Sequence, residues 1–181
     1  IDTLAPRSCT ICGGRLTVTE EVMCACCNQS LPRTGYARNA CDNRLVRLFW
    51  GRIPIERGAS LFFYKAHSDT SRLLYQLKYG GHSETGELLG RLVADEFAAD
   101  GFFDGITALV PVPLARQRER ERGYNQSVEI ARGISTATGI PVVGNVLERI
   151  SFHGSQKQKS RWERNENVEK AFRLTDASAV R

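Results

Sequence analysis

Six cysteines lie within the first 41 residues of this 181-residue chain, and the other 140 residues contain none. Cys9 and Cys12 form one Cys-x-x-Cys pair, and Cys24 and Cys27 form a second pair after an interval of eleven residues. Two such pairs supply four thiolates at the corners of a tetrahedron around one zinc ion. We therefore predict a Zn²⁺ site with these four cysteines as its ligands.

The predicted zinc site is structural, because four thiolates complete the coordination shell and leave no open position for water or substrate. Cys26 is an alternative ligand to Cys27, although the x-x spacing favours Cys27. Cys26 and Cys41 are then spare thiols. A thiol–disulfide redox pair is a weaker interpretation, because no strand–helix pattern of the thioredoxin type flanks the cysteines.

A second chemically informative stretch, residues 111–126, follows a predicted strand. It contains Pro111 and Pro113, then four arginines at alternate positions (Arg116, Arg118, Arg120 and Arg122), then a predicted helix start at Asn125 or Ser127. In open α/β sheets, ligands bind beyond the carboxyl ends of strands, and a helix N-terminus beside arginines favours anions. We predict an anion-binding loop here. The alternative is an exposed, mixed-charge helix, because two glutamates offset half of the arginines.

A third polar stretch covers residues 151–172. Residues 154–159 are too hydrophilic for a core and too long for a plain turn, which favours a mobile lid. Arg161 and Arg164 flank Trp162, and interleaved basic and aromatic side chains are typical of surfaces that bind single-stranded nucleic acid. His153 is a weaker candidate for acid–base chemistry, because a single loop histidine is usually solvated.

An α/β succession of elements positions these groups. Residues 31–56 form a connector with a short helix near residues 45–50. Apolar runs predict strands at residues 59–65 and 106–110, with short strand candidates at 142–143 and 146–147. Leucine spacing and capping residues predict helices over residues 68–80, 83–97 and 125–139. The alternation predicts a parallel sheet with right-handed crossovers and helices on both faces.

Charge and composition narrow the functional classes. Of the 25 basic residues 20 are Arg, the side chain best suited to bidentate capture of phosphate or carboxylate. Residues 83–104 carry six acids and one base, a net charge of −5. Because the whole chain has a net charge of +5, the remaining residues together carry +10. This asymmetry indicates either solvated helix faces or a polyanion site. No run of apolar residues reaches membrane-spanning length and no signal peptide is evident, so we predict a cytoplasmic protein.

The order of several short motifs resembles the ComF family of phosphoribosyltransferase-like proteins, which are associated with DNA uptake in competent bacteria. After the cysteine pairs come LKYGG at residues 77–81, ELLGRL at 87–92, LVPVPL at 109–114 and RGYNQ at 122–126. QKSRWERNENVEKAF follows at residues 158–172. The similarity covers essentially the whole chain, and the RGYNQ and ERNENV segments are specific in combination.

The resemblance implies a zinc ribbon over residues 1–45 and a type I phosphoribosyltransferase-like domain over residues 46–181. It implies that residues 111–126 contact pyrophosphate and that a hood over residues 151–164 covers the site. The ligand would be like phosphoribosyl pyrophosphate, with Mg²⁺ in the complete protein. The implied ligand-binding residues are Lys78, Arg122, Gly123, Tyr124, Asn125, Gln126, Arg161 and Arg164.

The chain also departs from the family pattern. Ala115-Arg116 stands where family members usually have His-Pro, and no adjacent pair of acids followed by a Thr/Gly-rich loop precedes Arg181. We therefore expect the carboxyl-terminal part of the domain to be truncated, and catalysis, acceptor substrate and oligomeric state stay open. The alternative function is a module without catalysis that binds single-stranded DNA or recruits a DNA-uptake motor protein.

Overall fold

The structure, a computed structural model, describes residues 6–150 and 171–176. Helices dominate this part of the chain, and a single pair of strands accompanies them. The elements are α1 Ala25–Ser30, a 3₁₀ turn Tyr36–Asn39, α2 Arg44–Arg47, α3 Asp69–Tyr79, α4 Glu84–Ala98, α5 Arg116–Arg122, α6 Gln126–Thr138, β1 Leu147–Arg149 and β2 Phe172–Leu174. Within these residues, no helix is long and apolar enough to cross a membrane.

Helices α3, α4 and α6 begin and end within a residue or two of the predicted positions. The Ser68 hydroxyl accepts a hydrogen bond from the Ser71 main-chain N–H at 3.4 Å and caps α3. The Asn125 side chain caps α6 in the same way by accepting from the Ser127 N–H at 3.0 Å. Leu73 and Leu77 of α3 are fully buried, as their helical spacing predicts.

Helices α4 and α6 cross at unusually short range because glycines face each other. A Cβ atom built on Gly90 of α4 would lie 2.1 Å from the Ile130 carbonyl oxygen and 2.8 Å from the Gly133 Cα. A Cβ atom on Gly133 would in turn lie 2.1 Å from the Glu87 carbonyl oxygen. The missing side chains therefore permit a backbone-to-backbone contact, which places α6 and the segment before it against α4.

The predicted parallel sheet is reduced, in the described ranges, to one parallel bridge between Leu109 and Val142. Pro111 and Pro113 follow this bridge directly, and proline has no N–H with which to extend a ladder. The prediction of a strand at residues 59–65 is also wrong. This segment forms no regular strand, and Phe62 makes only an isolated antiparallel bridge to Arg33.

The regular strands are β1 and β2, which pair antiparallel with Leu147 opposite Leu174. β1 overlaps the end of the strand candidate at residues 146–147. No pattern in the sequence predicted β2, since the apolar run at its start is only two residues long. The content is mixed α/β, as predicted, but the arrangement of a type I phosphoribosyltransferase sheet stays a prediction.

The arginine-rich segment predicted as a loop is helix α5, so the helical alternative is correct. None of its seven residues is buried. Gly123 ends α5 with a left-handed φ of 81°, and its N–H donates to the Glu119 carbonyl at 2.8 Å. The chain then turns directly into α6.

The main core joins the cysteine-rich segment to the helices. It consists of buried residues from residues 9–31 together with Leu73, Leu77 and Leu89 of α3 and α4. Those from the cysteine-rich segment are Cys9, Ile11, Leu16, Met23, Cys27 and Leu31. The Arg33 guanidinium adds an ion pair with Glu96 of α4 at 2.7 Å. The cysteine-rich segment therefore rests on α3 and α4.

Candidate metal centre and nucleic-acid interface

The sulfur atoms of Cys9, Cys12, Cys24 and Cys27 all lie within 4.8 Å of one another. The Sγ atoms of Cys12 and Cys24 are 3.9 Å apart. Zinc–sulfur bonds of ~2.3 Å in a tetrahedron require sulfur–sulfur separations of roughly 3.8 Å. The four thiols are thus positioned to hold one metal ion such as zinc with little rearrangement.

Main-chain amides organise the first Cys-x-x-Cys pair. Gly13 adopts a φ of 74°, and its N–H donates to the Cys9 carbonyl at 2.8 Å. The Gly14 N–H points at the Cys12 sulfur at 3.4 Å, and the Cys24 N–H points at the Cys9 sulfur at 3.4 Å. Amides directed at sulfur stabilise thiolates, which is the form that binds a metal ion.

The thiols differ in acidity. Burial acts to raise the pKa of the Cys9 thiol, but the N–H groups of Cys12, Cys24 and Ile11 lower that pKa to about 6. Burial raises the pKa of the Cys27 thiol, and hydrogen bonds with the other thiols raise it further. A metal ion would take the place of the protons that these thiols share.

Cys27 is the fourth member of the cluster, as the x-x spacing predicts, and Cys26 is exposed and lies outside it. Helix α1 causes this difference, because Cys24 is its N-cap and adjacent helical residues point in different directions. Cys41 is also exposed and outside the cluster.

Glu20 was missed by sequence reasoning, although it braces the cysteine cluster. Its carboxylate accepts hydrogen bonds from the Thr17 N–H at 2.8 Å and from the Ala25 N–H at 2.7 Å. These bonds lower the pKa of the Glu20 carboxyl. Its place just before the second cysteine pair, where a helix begins, is the signal that was available.

The predicted ligand-binding residues Arg122 to Gln126 form the junction between α5 and α6. Tyr124 donates its hydroxyl to the Leu77 carbonyl at 2.7 Å, and burial, followed by the charge of Glu84, raises its pKa. The buried Asn125 caps α6 and donates its amide to the Val112 carbonyl at 3.1 Å. Tyr124 and Asn125 therefore hold the junction in place.

Arg122, which is partly exposed at this junction, and Lys78 of α3 both reach solvent. The Arg122 guanidinium donates to the Gln126 side chain at 2.6 Å and lies over the Tyr79 ring, 5.3 Å from its centre. Lys78 is exposed in the last turn of α3. Arg161 and Arg164, with the predicted lid, lie outside the described residues.

A set of exposed tyrosines adjoins this junction and was not predicted. Tyr64, Tyr75 and Tyr79 are 67%, 62% and 64% exposed. The Tyr75 and Tyr79 ring centres are 4.9 Å apart with their planes inclined by 44°, and the Arg122 guanidinium lies over the Tyr79 ring. The tyrosine spacing of four residues on a helix whose opposite side is leucine-rich was the available signal.

Tyr64 and Tyr75 also line a groove of about 630 Å³ together with Arg72. Thr10, from the first cysteine pair, and His67 line it as well. We call Tyr64, Tyr75, Tyr79, Arg72 and Arg122 the tyrosine face. It combines aromatic surfaces with two guanidinium groups and an adjacent groove.

Three bacterial proteins are similar in sequence to this chain. The chain is 34% identical over 67 residues to competence protein F of Haemophilus influenzae, which covers 37% of this chain and 29% of that protein. It is 25% identical over 179 aligned residues to DNA utilization protein YhgH of Salmonella typhi. That alignment covers 93% of this chain and 78% of the YhgH protein. It is 28% identical over 169 residues to the protein of that name in Escherichia coli, which covers 92% of this chain and 70% of that protein.

No protein-family model matches the chain. No solved structure matches it either. The chain spans less than a third of the length of the Haemophilus protein and about three quarters of the length of the two YhgH proteins.

Proposed function

We propose that this protein handles single-stranded DNA in DNA uptake or utilization and that the tyrosine face is its binding surface. The names of the similar proteins support the biological context. The observation that carries the binding surface is the arrangement of Tyr75, Tyr79 and Arg122: both tyrosines are mostly exposed, their rings adjoin, and the Arg122 guanidinium lies over the Tyr79 ring.

Exposed aromatic side chains favour single strands over duplexes, because unpaired bases offer their π-faces for stacking. Arg122 lies over Tyr79, and Arg72, which also pairs with Asp69 at 3.5 Å, lines the groove with Tyr64 and Tyr75. In this proposal the two guanidinium groups contact the phosphates that connect the stacked bases. The other arginines of α5, Arg116, Arg118 and Arg120, precede Arg122 in sequence and are exposed, so positive charge continues along the helix. The face therefore combines stacking with phosphate contact.

Fluorescence anisotropy with a labelled single-stranded oligonucleotide tests this proposal. The double substitution Tyr75→Ala and Tyr79→Ala removes two stacking platforms, and each stacked base contributes about 1 to 3 kcal/mol. We expect affinity to fall by at least tenfold. The matched control, Tyr75→Phe with Tyr79→Phe, keeps both rings and should bind within about twofold of the parent, since stacking does not require the hydroxyl.

The salt response provides a second measurement. For single strands, the logarithm of the binding constant falls with the logarithm of the salt concentration by ~0.7 for each phosphate contacted. We expect a steep slope that becomes shallower in Arg122→Ala. An unchanged affinity of the alanine pair, with unchanged circular dichroism, would overturn the tyrosine face as the DNA-binding surface.

We further propose that the four clustered cysteines bind zinc and that the ion has a structural role. The tetrahedral spacing of the sulfurs and the amides that point at them support this assignment. Zinc would hold together a segment that is too short to fold on its own hydrophobic core.

A second candidate function is binding of a ligand like phosphoribosyl pyrophosphate, together with Mg²⁺, at the α5–α6 junction. The supporting observation is the open space at Gly123, where an added Cβ would have no atom within 4 Å, beside Arg122 and the start of α6. Lys78, Gln126, Arg161 and Arg164 would complete the contacts. In this proposal Tyr124 and Asn125 position the junction.

Isothermal titration calorimetry with phosphoribosyl pyrophosphate and Mg²⁺ tests this second function. We expect binding that Arg122→Ala weakens at least tenfold, while Arg47→Ala, which removes an arginine from α2, leaves it unchanged. Absence of heat with the parent protein would overturn the phosphoribosyl proposal and leave the DNA proposal intact. Competition between this ligand and the oligonucleotide would show that the two share Arg122.

A further inference from the structure

Residues 48–54 form a projecting turn that leaves large apolar side chains in solvent. Leu48, Trp50 and Ile53 are 64%, 57% and 53% exposed within six residues of chain. Within this turn only Phe49 is partly buried. A cluster of exposed leucine, tryptophan and isoleucine side chains on one turn is typical of an interaction surface.

The projecting turn is firmly held. The N–H groups of Arg52 and Ile53 both donate to the Phe49 carbonyl, at 2.9 and 3.1 Å, and Gly51 adopts a φ of 73°. Behind it, the buried Asn43 side chain accepts from the N–H groups at the start of α2 and donates to the Gly58 carbonyl at 2.7 Å. The apolar side chains are therefore presented by a preformed turn.

The surroundings of the turn are positively charged. Residues 42–53 contain three arginines and one acid, which gives +2. These arginines, Arg44, Arg47 and Arg52, are exposed in or next to the turn, and Arg47 lies over the Trp50 ring, 5.7 Å from its centre. Asp42 forms an ion pair with Arg47 at 2.6 Å. The complementary partner is therefore both apolar and anionic.

We propose that the projecting turn inserts Leu48, Trp50 and Ile53 into the interface of an anionic lipid bilayer. Tryptophan and arginine side chains favour the headgroup region, where their apolar parts are buried and their polar parts stay hydrated. Arginines near such a surface each add attraction to anionic lipid. Three side chains at the tip of a turn suit shallow insertion, whereas a stable protein interface buries about 800 Å² on each partner.

Trp50 is a built-in reporter for this proposal. The chain has two tryptophans, so Trp162→Phe leaves Trp50 as the sole tryptophan, whose emission is selected by excitation at about 295 nm, where tyrosine barely absorbs. Vesicles of equal parts phosphatidylcholine and phosphatidylglycerol should shift its emission to the blue, and pure phosphatidylcholine vesicles should give a much smaller shift. Cosedimentation should show that Leu48→Ser with Ile53→Ser weakens vesicle binding by roughly tenfold or more.

Two controls separate insertion from other causes. Val18→Ser changes an isolated side chain that is 88% exposed outside the turn, and it should leave binding unchanged. Arg44→Gln with Arg52→Gln should reduce the preference for anionic vesicles. The proposal is overturned if the parent binds neither vesicle, if both vesicles bind alike, or if the turn variant instead abolishes a concentration-dependent dimer, which would make a second copy the occupant.

Discussion

Cys26 and Cys27 are neighbours in the chain but lie in opposite environments. Cys27 is buried in the sulfur cluster, and Cys26 is exposed on α1. We expect Cys27→Ser to lose the metal ion, because three thiolates and a hydroxyl bind zinc far more weakly than four thiolates. Cys26→Ser is the matched control and should keep one zinc ion per chain. Elemental analysis by mass spectrometry and thermal unfolding measure both effects.

A result in which Cys26→Ser lost the metal and Cys27→Ser retained it would contradict this assignment. The pKa of the Cys27 thiol makes the comparison sharper. Burial raises that pKa, so without a metal ion this thiol stays protonated at neutral pH. Binding of the ion must therefore displace that proton, and uptake of zinc by the parent should release protons into a weakly buffered solution.

Asn43 is the residue with the most side-chain hydrogen bonds around α2. Its carbonyl oxygen caps the helix, and its amide donates to three main-chain carbonyls, those of Tyr36, Asn39 and Gly58. We expect Asn43→Ala to lower the free energy of unfolding by about 2 kcal/mol, because a cap is lost and main-chain carbonyls in partly buried hydrogen bonds lose a donor. Chemical denaturation measures the change.

The control for this prediction is Asn39→Ala. Asn39 is exposed, and the Asn43 side chain binds its main-chain carbonyl, which the substitution keeps. Its free energy of unfolding should change by less than about 0.5 kcal/mol. Equal effects at the two positions would show that the side-chain bonds of Asn43 contribute nothing beyond those of an ordinary surface asparagine.

Among the described elements, helices α4 and α6 approach each other backbone to backbone at Gly90 and Gly133. A methyl group on Gly90 or Gly133 would overlap a carbonyl oxygen of the other helix at 2.1 Å. Gly90→Ala should therefore separate the helices and lower the free energy of unfolding by about 2 kcal/mol or more. Gly144→Ala adds the same methyl group where no atom lies within 4 Å, and it should be close to neutral. Urea denaturation measures the free energy of unfolding of both variants. Equal values for Gly90→Ala and Gly144→Ala would contradict the close contact between α4 and α6.

Helices were the elements that the sequence predicted well, because their signals are local. Ser68, Asn125 and Gly139 mark ends of α3 and α6, and leucine spacing marks the buried side of α3. Strands were predicted poorly, because a strand needs a partner that local patterns do not reveal. The apolar run at residues 106–110 makes one bridge, while β2, with a short apolar start, finds a partner in β1.

The candidate site shows the same contrast between features set by local sequence and features set by packing. The cysteine spacing predicted the metal cluster, because its ligands are close in sequence. The tyrosine face was not predictable, since it joins Tyr64, α3 and the end of α5 through their packing. The charge pattern of α5 was compatible with both a loop and a helix, and only the structure distinguishes them.

For the molecule as a whole, the shared core couples the metal cluster to the helices. Ile11 and Met23 from the cysteine-rich segment pack in one cluster with Leu73, Leu77 and Leu89 of α3 and α4. Removal of the metal ion should therefore expose part of α3, and full burial of each leucine contributes about 1.5 to 3 kcal/mol. We expect a chelator to lower the thermal midpoint and to raise amide hydrogen exchange in both helices.

The β1–β2 pair provides the internal reference for that exchange experiment. Its strands are joined by main-chain bonds such as that from the Ile150 N–H to the Ala171 carbonyl at 2.9 Å, and it contributes no side chain to the shared core. If chelation raised exchange only in residues 9–31, the cysteine-rich segment would be an independent folding unit. If exchange rose in residues 9–31, α3 and α4 but not in β1, the metal ion would stabilise the core on which the tyrosine face is built.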